Sequence, residues 1–514
     1  MTTGTNWAAV LEHHADRFPE RPLAVCEGVP TTYGQMLDRV RRLAGGLRSR
    51  GIGRGDIVGL LAYNSTEFLE VIFAANYIGA VAMPVNWRLS PTEVAYILTN
   101  SRAKILVSEV ALGHVAVPAL AQAEQEVVGL AVDDLREPGW STLAELRLAE
   151  PVPAAAQVQE GDLHRLMYTS GTTSHPKGVM ITHENLMWKN MAHVVEFSVT
   201  AEDVGLVCGP LYHVGALDLT TTTVLYAGGT VVIHPRFDAE RVVAEIERGR
   251  ITNVWLPPAM LNAILALPDI ERGDLGGLRF LIAGGEKMPE PLIKRVQDLF
   301  PNAWFVDAYG LTESVSGDTF LDRRFTLERR GSVGKPCLHL EVAIWDLDGE
   351  DTVPAGVTGE IVLRGPKLFR GYWRNPEATE AAFRGGWFHT GDIGYLDEDG
   401  FLYIVDRLKD MIISGGENIA SIEVERVLYG YPGLREAAVV ARPDERWGEV
   451  PVAYVAMEPG VQATEEQVVA HCRQQLAKFK APSAVVFVDE LPRNPSGKVL
   501  KRELRARKSD PGKG

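Results

Sequence analysis

Apolar runs alternate with amphipathic stretches along most of the 514-residue chain. DIVGLLAY (56–63) reads as a buried strand, and TEFLEVIFAANYIG (66–79) repeats its apolar residues at helical spacing. AVAMPVN (80–86) and KILVSE (104–109) return to strand-like runs. This strand–helix–strand grammar implies parallel strands under covering helices. A second series follows, with strands in GTVVIHP (229–235), ITNVWLPP (251–258) and LRFLIAGG (278–285) and a helix in AERVVAEIERG (239–249). The two series predict two doubly wound sheets. From about residue 329 the pattern shortens to GSVGKP, TGEIVLRG, GGWFHTGD and GFLYIVD, which predicts a small antiparallel sheet or barrel. Beyond Lys409, a helix at 465–477 and strands near 437–442, 451–457 and 484–488 predict a compact α+β unit. The fold class is therefore α/β. A large domain, 1–408, holds two doubly wound sheets plus a small β-barrel-like sheet, and a small α+β domain covers 409–514. No Pro/Gly-rich linker divides them, so the boundary near 409 reads as a joint rather than a tether.

Length agrees with that division, because single cores stop growing at roughly 250–300 residues. Hydrophobic residues make up 46% and charged residues 23%, an ordinary globular balance. The net charge of −15 argues against a general nucleic-acid or anionic-membrane binder, so any anionic ligand needs local positive groups. Cys26, Cys208, Cys337 and Cys472 are scattered without a CxxC pair, which points away from zinc and disulfides and toward a reducing cytoplasm. The first twenty residues lack the basic-then-apolar pattern of a signal peptide, and DPGKG at the other end is neither a lipidation nor a peroxisomal signal. The most apolar run, VIFAANYIGAVAMPV (71–85), is too short to span a bilayer, so no transmembrane segment is expected.

The stretch YTSGTTSHPKGVMITHEN (168–185) gathers Thr169, Ser170, Gly171, Thr172, Thr173 and Ser174 ahead of one base, Lys177. Small residues let backbone N–H groups approach oxygen anions, hydroxyls add donors, and Lys177 adds a point charge. A Walker loop would place Ser or Thr directly after its lysine and then a helix. Here Gly178 and the apolar VMI follow, so the loop is expected to be a β-type cover rather than a helix-anchored cradle. Taken alone, it also fits a solvated surface turn.

Four further motifs accompany it: DAYGLTES (307–314), TGEIVLRGPKLFRGYWRNPE (358–377), WFHTGDIGYLDEDGFLYIVDRLKDMIISGGENI (387–419) and PRNPSGKVLKREL (492–504). In this order, with the loop, they make the chain resemble the adenylate-forming superfamily, in particular its AMP-forming acyl- and aryl-CoA synthetases. The resemblance runs from TYGQM (32–36) to the C-terminal lysine motif. One departure is Ser174, where the superfamily usually carries glycine; a positive φ there would strain serine.

The resemblance implies attack of a carboxylate on the α-phosphorus of ATP with loss of pyrophosphate, a reaction between anions that requires charge neutralisation and alignment. It gives the 170–178 loop the β- and γ-phosphates, which leave as pyrophosphate. Tyr309 would stack on adenine, with Gly310 beside it and Gly284 and Gly285 flooring the pocket. Thr312 would donate to the α-phosphate and Glu313 would ligate Mg2+, a hard cation that takes few carboxylates. Asp392 and Arg407 match the ribose-binding pair, against the plainer reading of a structural ion pair. Lys498 matches the lysine that bridges the attacking carboxylate and the α-phosphate; Lys501 is its nearest competitor in the motif. His213, in PLYHVGAL, matches a gate near the acyl end, against a satisfied core histidine.

A thiol acceptor, CoA, is implied for the second half-reaction. The resemblance makes the C-terminal domain mobile about a hinge at Lys409, with Ser414, Gly415 and Gly416 lining a pantetheine tunnel. Phe479, Lys480 and Trp447 are candidates for the CoA nucleotide. Two rivals remain: delivery to a carrier protein in trans, and adenylation alone with a partner enzyme completing the transfer. A third, from another class, is a nucleotide-binding regulator on a dead scaffold, against which Thr312, Glu313, Asp392 and Lys498 all stand. The acid pocket is expected near Cys208, Gly215, Ala216, Trp255, Met260 and Leu261. No charged group obviously faces it, and Asp218 comes too late to serve as an amino-acid anchor, so the acid is expected to be apolar: fatty, arylpropenoic or bulky polycyclic.

Overall fold

The computed structural model describes residues 6–507 except 136, 160, 170–175, 269, 271–274, 285–289, 327, 348, 350, 415–416, 445 and 494–497. A seven-stranded sheet runs in the order Ser141–Thr142, Val128–Ala131, Ile105–Ser108, Ile57–Leu61, Val81–Pro84, Leu163–Thr169, Lys177–Thr182. Its pairings are parallel except the last, an antiparallel hairpin. A nine-stranded sheet has a parallel centre from Trp304–Tyr309 to Pro22–Cys26 and antiparallel edges. The two sheets predicted from the alternation are both present.

The strands of the first series are short and apolar on both faces, as strands buried between layers must be. Helix Thr66–Tyr77, capped by Ser65, is buried at every position except Glu67. A helix apolar all round belongs inside a protein, and this one joins a core that takes residues from both sheets. Its buried acid, Glu70, is bound by both nitrogens of a bidentate Arg147, each at 2.7 Å.

The third sheet is antiparallel, with Trp387–Leu396 pairing with Gly359–Arg364, Phe383–Arg384 and Leu402–Arg407. One expectation is corrected here. GSVGKP does not contribute a strand to this sheet: Lys335–Pro336 pairs with Thr319–Phe320 at the edge of the nine-stranded sheet. Pro336 has no N–H to donate, which suits an edge.

The remaining sheet centres on Gly448–Met457, flanked by Leu434–Asp444, Ile412–Ser414 and Ala484–Phe487, and packs against helices Ser421–Leu428 and Glu465–Gln475. Between this unit and strand Leu402–Arg407 lies a single 3₁₀ turn, Leu408–Asp410, with Lys409 at its middle. Ser421 donates its N–H to Asp406, and Arg505 pairs with Asp410 at 2.5 Å. No helix among the described residues is long and apolar enough to cross a membrane.

Candidate active site

The flanks of the phosphate loop, Leu163–Thr169 and Lys177–Thr182, are antiparallel strands rather than a strand and a helix. Thr169 ends one strand, Lys177 opens the next, and the two are paired. Ser170, Gly171, Thr172 and Thr173, with the departure Ser174, lie outside the described residues. The outer edge of the second strand is covered by residues 370–373. Arg370 N–H donates to Met180 C=O at 2.9 Å, Met180 N–H to Gly371 C=O at 3.0 Å, and Trp373 N–H to Gly178 C=O at 2.7 Å. Lys177 Nζ lies 4.9 Å from the centre of the Tyr372 ring.

Strand Trp304–Tyr309 delivers the DAYGLTES residues at its C-terminal end. Thr312 and Glu313 follow it, and then Val315, Ser316 and Gly317 have φ of 57°, 66° and 62°. Three successive left-handed residues, one β-branched, need external support. Lys367 supplies it. Its buried ammonium donates to Ser316 C=O at 2.8 Å, to Gly317 C=O at 2.5 Å and to Asp318 Oδ1 at 2.9 Å. Asp318 Oδ2 in turn accepts from Ser314 Oγ at 2.6 Å. Gly310 packs on this turn so closely that a Cβ would stand 2.3 Å from Gly317 N, so its glycine is required by the backbone. Gly284 is similarly closed, with a would-be Cβ 2.4 Å from Ala308 O, while Gly285 lies outside the described residues.

Glu313 is half-buried. Its carboxylate Oε1 accepts from the Tyr372 hydroxyl at 3.0 Å, and its C=O accepts from Phe369 N–H at 2.7 Å. Burial pushes its pKa up, opposed by the Tyr372 hydroxyl and the charges of Arg407 and Lys498. The described residues contain no group of three or more His, Cys, Asp or Glu fit to hold a metal ion. A single carboxylate at this turn instead fits Mg2+ brought in with phosphates, which would supply most of its hard-oxygen shell.

Asp392 and Arg407 face each other across antiparallel strands. Arg407 Nε stands 3.0 Å from Asp392 Oδ1, and Tyr309 donates its hydroxyl to Asp392 Oδ2 at 2.8 Å. Asp392 raises the Arg407 pKa, while burial raises that of Tyr309. The ion pair is real, so the plainer structural reading and the ribose reading describe the same two residues.

His213 stacks on Trp255 with centroids 5.4 Å apart and planes 15° from parallel. Its Nδ1 accepts from Gly215 N–H at 3.0 Å, which leaves the proton on Nε2. Burial, and after it the charge of Lys498, lower its pKa to about 4. Trp255 fills the space over Gly209 and Gly215, where added Cβ atoms would meet the ring at 2.7 and 2.4 Å. The expected pocket lining needs correction. Cys208 and Leu261 join a separate core under helix Pro258–Leu265, and Met260 packs against it. Side chains alternate along a strand, so Val207 and Trp255 face one side while Leu206, Cys208 and Val254 face the other. Asp218 is fully buried and bonded to Arg165, so it presents no charge to a ligand.

Lys498 comes from the C-terminal unit, yet its charge is felt at both Glu313 and His213. Lys501 is fixed elsewhere, 2.8 Å from Glu425 Oε1 and 2.6 Å from Ser421 Oγ. Lys501 is thus held within the C-terminal unit, whereas the charge of Lys498 bears on Glu313 and His213.

The family description for AMP-binding enzymes matches residues 11–373, and that for the AMP-binding enzyme C-terminal domain matches 423–498. The chain belongs to the AMP-binding enzyme family. Within the adenylate-forming superfamily it falls on the acyl- and aryl-CoA synthetase branch. It is 42% identical over 481 residues to a feruloyl-CoA synthase of an Amycolatopsis species, covering 93% of this chain and 94% of that one. It is 40% identical over 483 residues to a long-chain-fatty-acid–CoA ligase of Mycobacterium tuberculosis, covering 93% of each. The solved o-succinylbenzoate CoA synthetase from Bacillus subtilis, in complex with its acyl-adenylate intermediate, superposes with a TM-score of 0.86 at 32% identity over 99% of each chain.

The remaining candidates of this AMP-binding enzyme lie on the C-terminal unit. Ser414 is buried and pairs with Gly448, which places Trp447 beside that strand end; Trp447 is 48% exposed. Gly415 and Gly416 lie outside the described residues. Phe479 is exposed, and Lys480 is bound to both Glu423 oxygens at 2.9 and 2.8 Å. The side chain of Lys409 lies outside those described. Sequence reasoning passed over Tyr372, Lys367 and Asp318. The first two sit in a motif it quoted, but their partners are 49 to 195 positions away, beyond any local signal.

Proposed function

We infer that this protein is an AMP-forming acid:CoA ligase that activates an apolar carboxylic acid. The observation that supports the reading is the clustering of Tyr309, Asp392 and Arg407 beside the 312–313 turn, where Tyr372 holds Glu313 and the charge of Lys498 from the C-terminal unit is felt. An ammonium delivered there neutralises the attacking carboxylate and the α-phosphate together, as charge-developing chemistry in a partly desolvated cleft requires.

In the first half-reaction a carboxylate oxygen bonds to the α-phosphorus of ATP and the bond to pyrophosphate breaks. The 170–173 loop with Lys177 grips the departing phosphates, and Thr312 donates to the α-phosphate. Tyr309 lies against adenine, while its hydroxyl and Arg407 orient Asp392 toward the ribose. Mg2+, held by Glu313, supplies neutralisation of phosphate charge when bound. In the second half-reaction the CoA thiol sulfur bonds to the acyl carbon, AMP leaves, and the thiol proton passes to solvent. Ser414 and the two following glycines, with Trp447, Phe479 and Lys480, serve that step after rotation about Lys409. CoA is favoured over a carrier protein because the named relatives are CoA ligases. The setting is the cytoplasm, where ATP and CoA are available.

The acid is apolar because Asp218 is neutralised by Arg165 away from the cleft. The flat His213–Trp255 wall favours a planar aryl acid, and a feruloyl-CoA synthase relative supports that choice. Pyrophosphate release, measured over a panel of arylpropenoic, fatty and polycyclic acids with ATP and Mg2+, tests the reading. AMP and acyl-CoA are expected in equal amounts. ADP and phosphate as products, or turnover independent of acid, overturn it.

A further inference from the structure

A glutamate and a lysine that face one half-buried cleft attract each other, and a direct ion pair between them would close the space a polyphosphate needs. Here each is held on a different part of one side chain. The Tyr372 hydroxyl donates to Glu313 Oε1 at 3.0 Å, and the Lys177 ammonium sits 4.9 Å from the centre of the same ring.

Tyr372 is itself fixed from three directions. Its N–H donates to Thr379 Oγ1 at 2.9 Å. Its backbone bridges Val179 on the hairpin strand that Lys177 opens. Its ring packs edge-on against Phe369, 4.9 Å between centroids, and Phe369 N–H in turn holds the Glu313 C=O. The segment from Lys367 to Trp373 is therefore a strut. It supports the left-handed turn behind Glu313, fixes the Glu313 main chain and carboxylate, and zips along the phosphate hairpin.

Resting on the functional reading above, we propose that Tyr372 is a positioning residue that holds Glu313 ready for Mg2+ and keeps Lys177 off that carboxylate until ATP arrives. Its hydroxyl binds one carboxylate oxygen and so fixes the orientation of the group. A residue that orients a metal-binding carboxylate in this way typically controls metal affinity about 10–100-fold. Its ring offers the ammonium a weak electrostatic seat, which phosphate oxygens outcompete.

Isothermal titration with ATP, in excess Mg2+ and again in EDTA, measures the affinity each protein gains from the metal. Wild type, Tyr372→Phe and Tyr372→Leu are compared. In Tyr372→Phe the gain is expected to fall about tenfold with an unaltered Tm, because packing and the lysine's seat survive. Tyr372→Leu is expected to weaken ATP binding in EDTA as well, because Lys177 is then free to pair with Glu313. A Tyr372→Phe protein with the wild-type gain overturns the inference alone. So does one that loses affinity equally in Mg2+ and in EDTA. A wild type without any Mg2+-dependent gain overturns both the inference and the functional reading.

Discussion

Lys367 and Asp318 form a 2.9 Å ion pair with both side chains essentially out of water. The pair stands directly behind Thr312 and Glu313, and its lysine also binds the carbonyls of Ser316 and Gly317. Lys367→Met leaves Asp318 a buried, unpaired carboxylate, which costs about 3–5 kcal/mol. It also removes the ammonium that binds the carbonyls of the left-handed Ser316 and Gly317, leaving the turn to its backbone bonds and His193. Denaturant unfolding of the large domain is expected at a lower midpoint, with acid-dependent pyrophosphate release falling in kcat. Adding Asp318→Asn should recover stability but not turnover, since the carbonyl contacts of Lys367 stay lost. Recovery of both would show that the turn does not depend on the ammonium.

Lys498 and Lys501 stand three residues apart and are expected to behave differently. Lys498→Ala should lose about 10²–10³ in adenylation rate while ATP still binds, because one preorganised charge at the reacting groups is gone. It should spare thiolysis of a supplied acyl-adenylate. Lys501→Ala removes the partner of a buried Glu425, so its main effect should be a lower Tm of the C-terminal unit. Separate assays of the two half-reactions, beside thermal unfolding, check the contrast. Equal kinetic losses without a stability difference would refute it.

Several histidines make the fold acid-sensitive. Burial lowers His183 and His213 to about 4, and His164 and His193 well below the ordinary 6.5. In the unfolded chain each takes up a proton near pH 6.5, whereas in the folded chain it stays neutral. The unfolded state therefore binds more protons below 6.5, and stability present above that pH falls as pH drops, the contributions of His183 and His213 levelling off near 4 where they protonate in the folded state. For His183 alone the loss is roughly 3 kcal/mol. Its Nδ1 accepts from Trp7 N–H at 3.1 Å, a role an amide oxygen can take. His183→Asn should accordingly flatten the decline of Tm between pH 6.5 and 4.5. A Tm constant across that range in wild type would contradict this account.

Local patterns made much of this molecule legible. The strands Ile57–Leu61 and Val81–Pro84 and the helix Thr66–Tyr77 follow from apolar spacing alone, because each is buried on every side. The hairpin under Lys177 followed from the apolar residues after Gly178, which exclude a Walker helix. What failed was whatever depends on partners distant in sequence. Cys208 and Leu261 were placed with Trp255 as lining of one expected pocket, yet their side chains belong to another core. Tyr372 and Lys367 look like ordinary members of a motif. Only the fold lays their segment against the 313–318 turn and the hairpin edge at once.

The last prediction concerns the joint. Arg407 ends a strand and holds Asp392, whereas Ser414 ends the next strand at the glycine pair proposed for the thiol tunnel. Between them stands one turn, Leu408–Asp410, closed by Met411 N–H to Arg407 C=O at 3.1 Å. The charge of Lys498 is felt at Glu313 and His213, which on the proposed function corresponds to an adenylating orientation of the C-terminal unit. Thioester formation needs Ser414 and its glycines there instead. Both demands are met if the few residues at the turn absorb a large φ/ψ change, which is how hinges work. Proline fixes φ near −65° and restricts the residue before it. Lys409→Pro leaves the Met411–Arg407 bond intact but stiffens the turn. The expected result is near-normal acid-dependent pyrophosphate exchange with strongly reduced acyl-CoA formation and an unchanged Tm. If both half-reactions fall together with Tm, the proline has only damaged a loop. If neither falls, the rotation does not pass through Lys409, and the swivel must be sought in the Asp406–Ser421 or Asp410–Arg505 contacts that flank it.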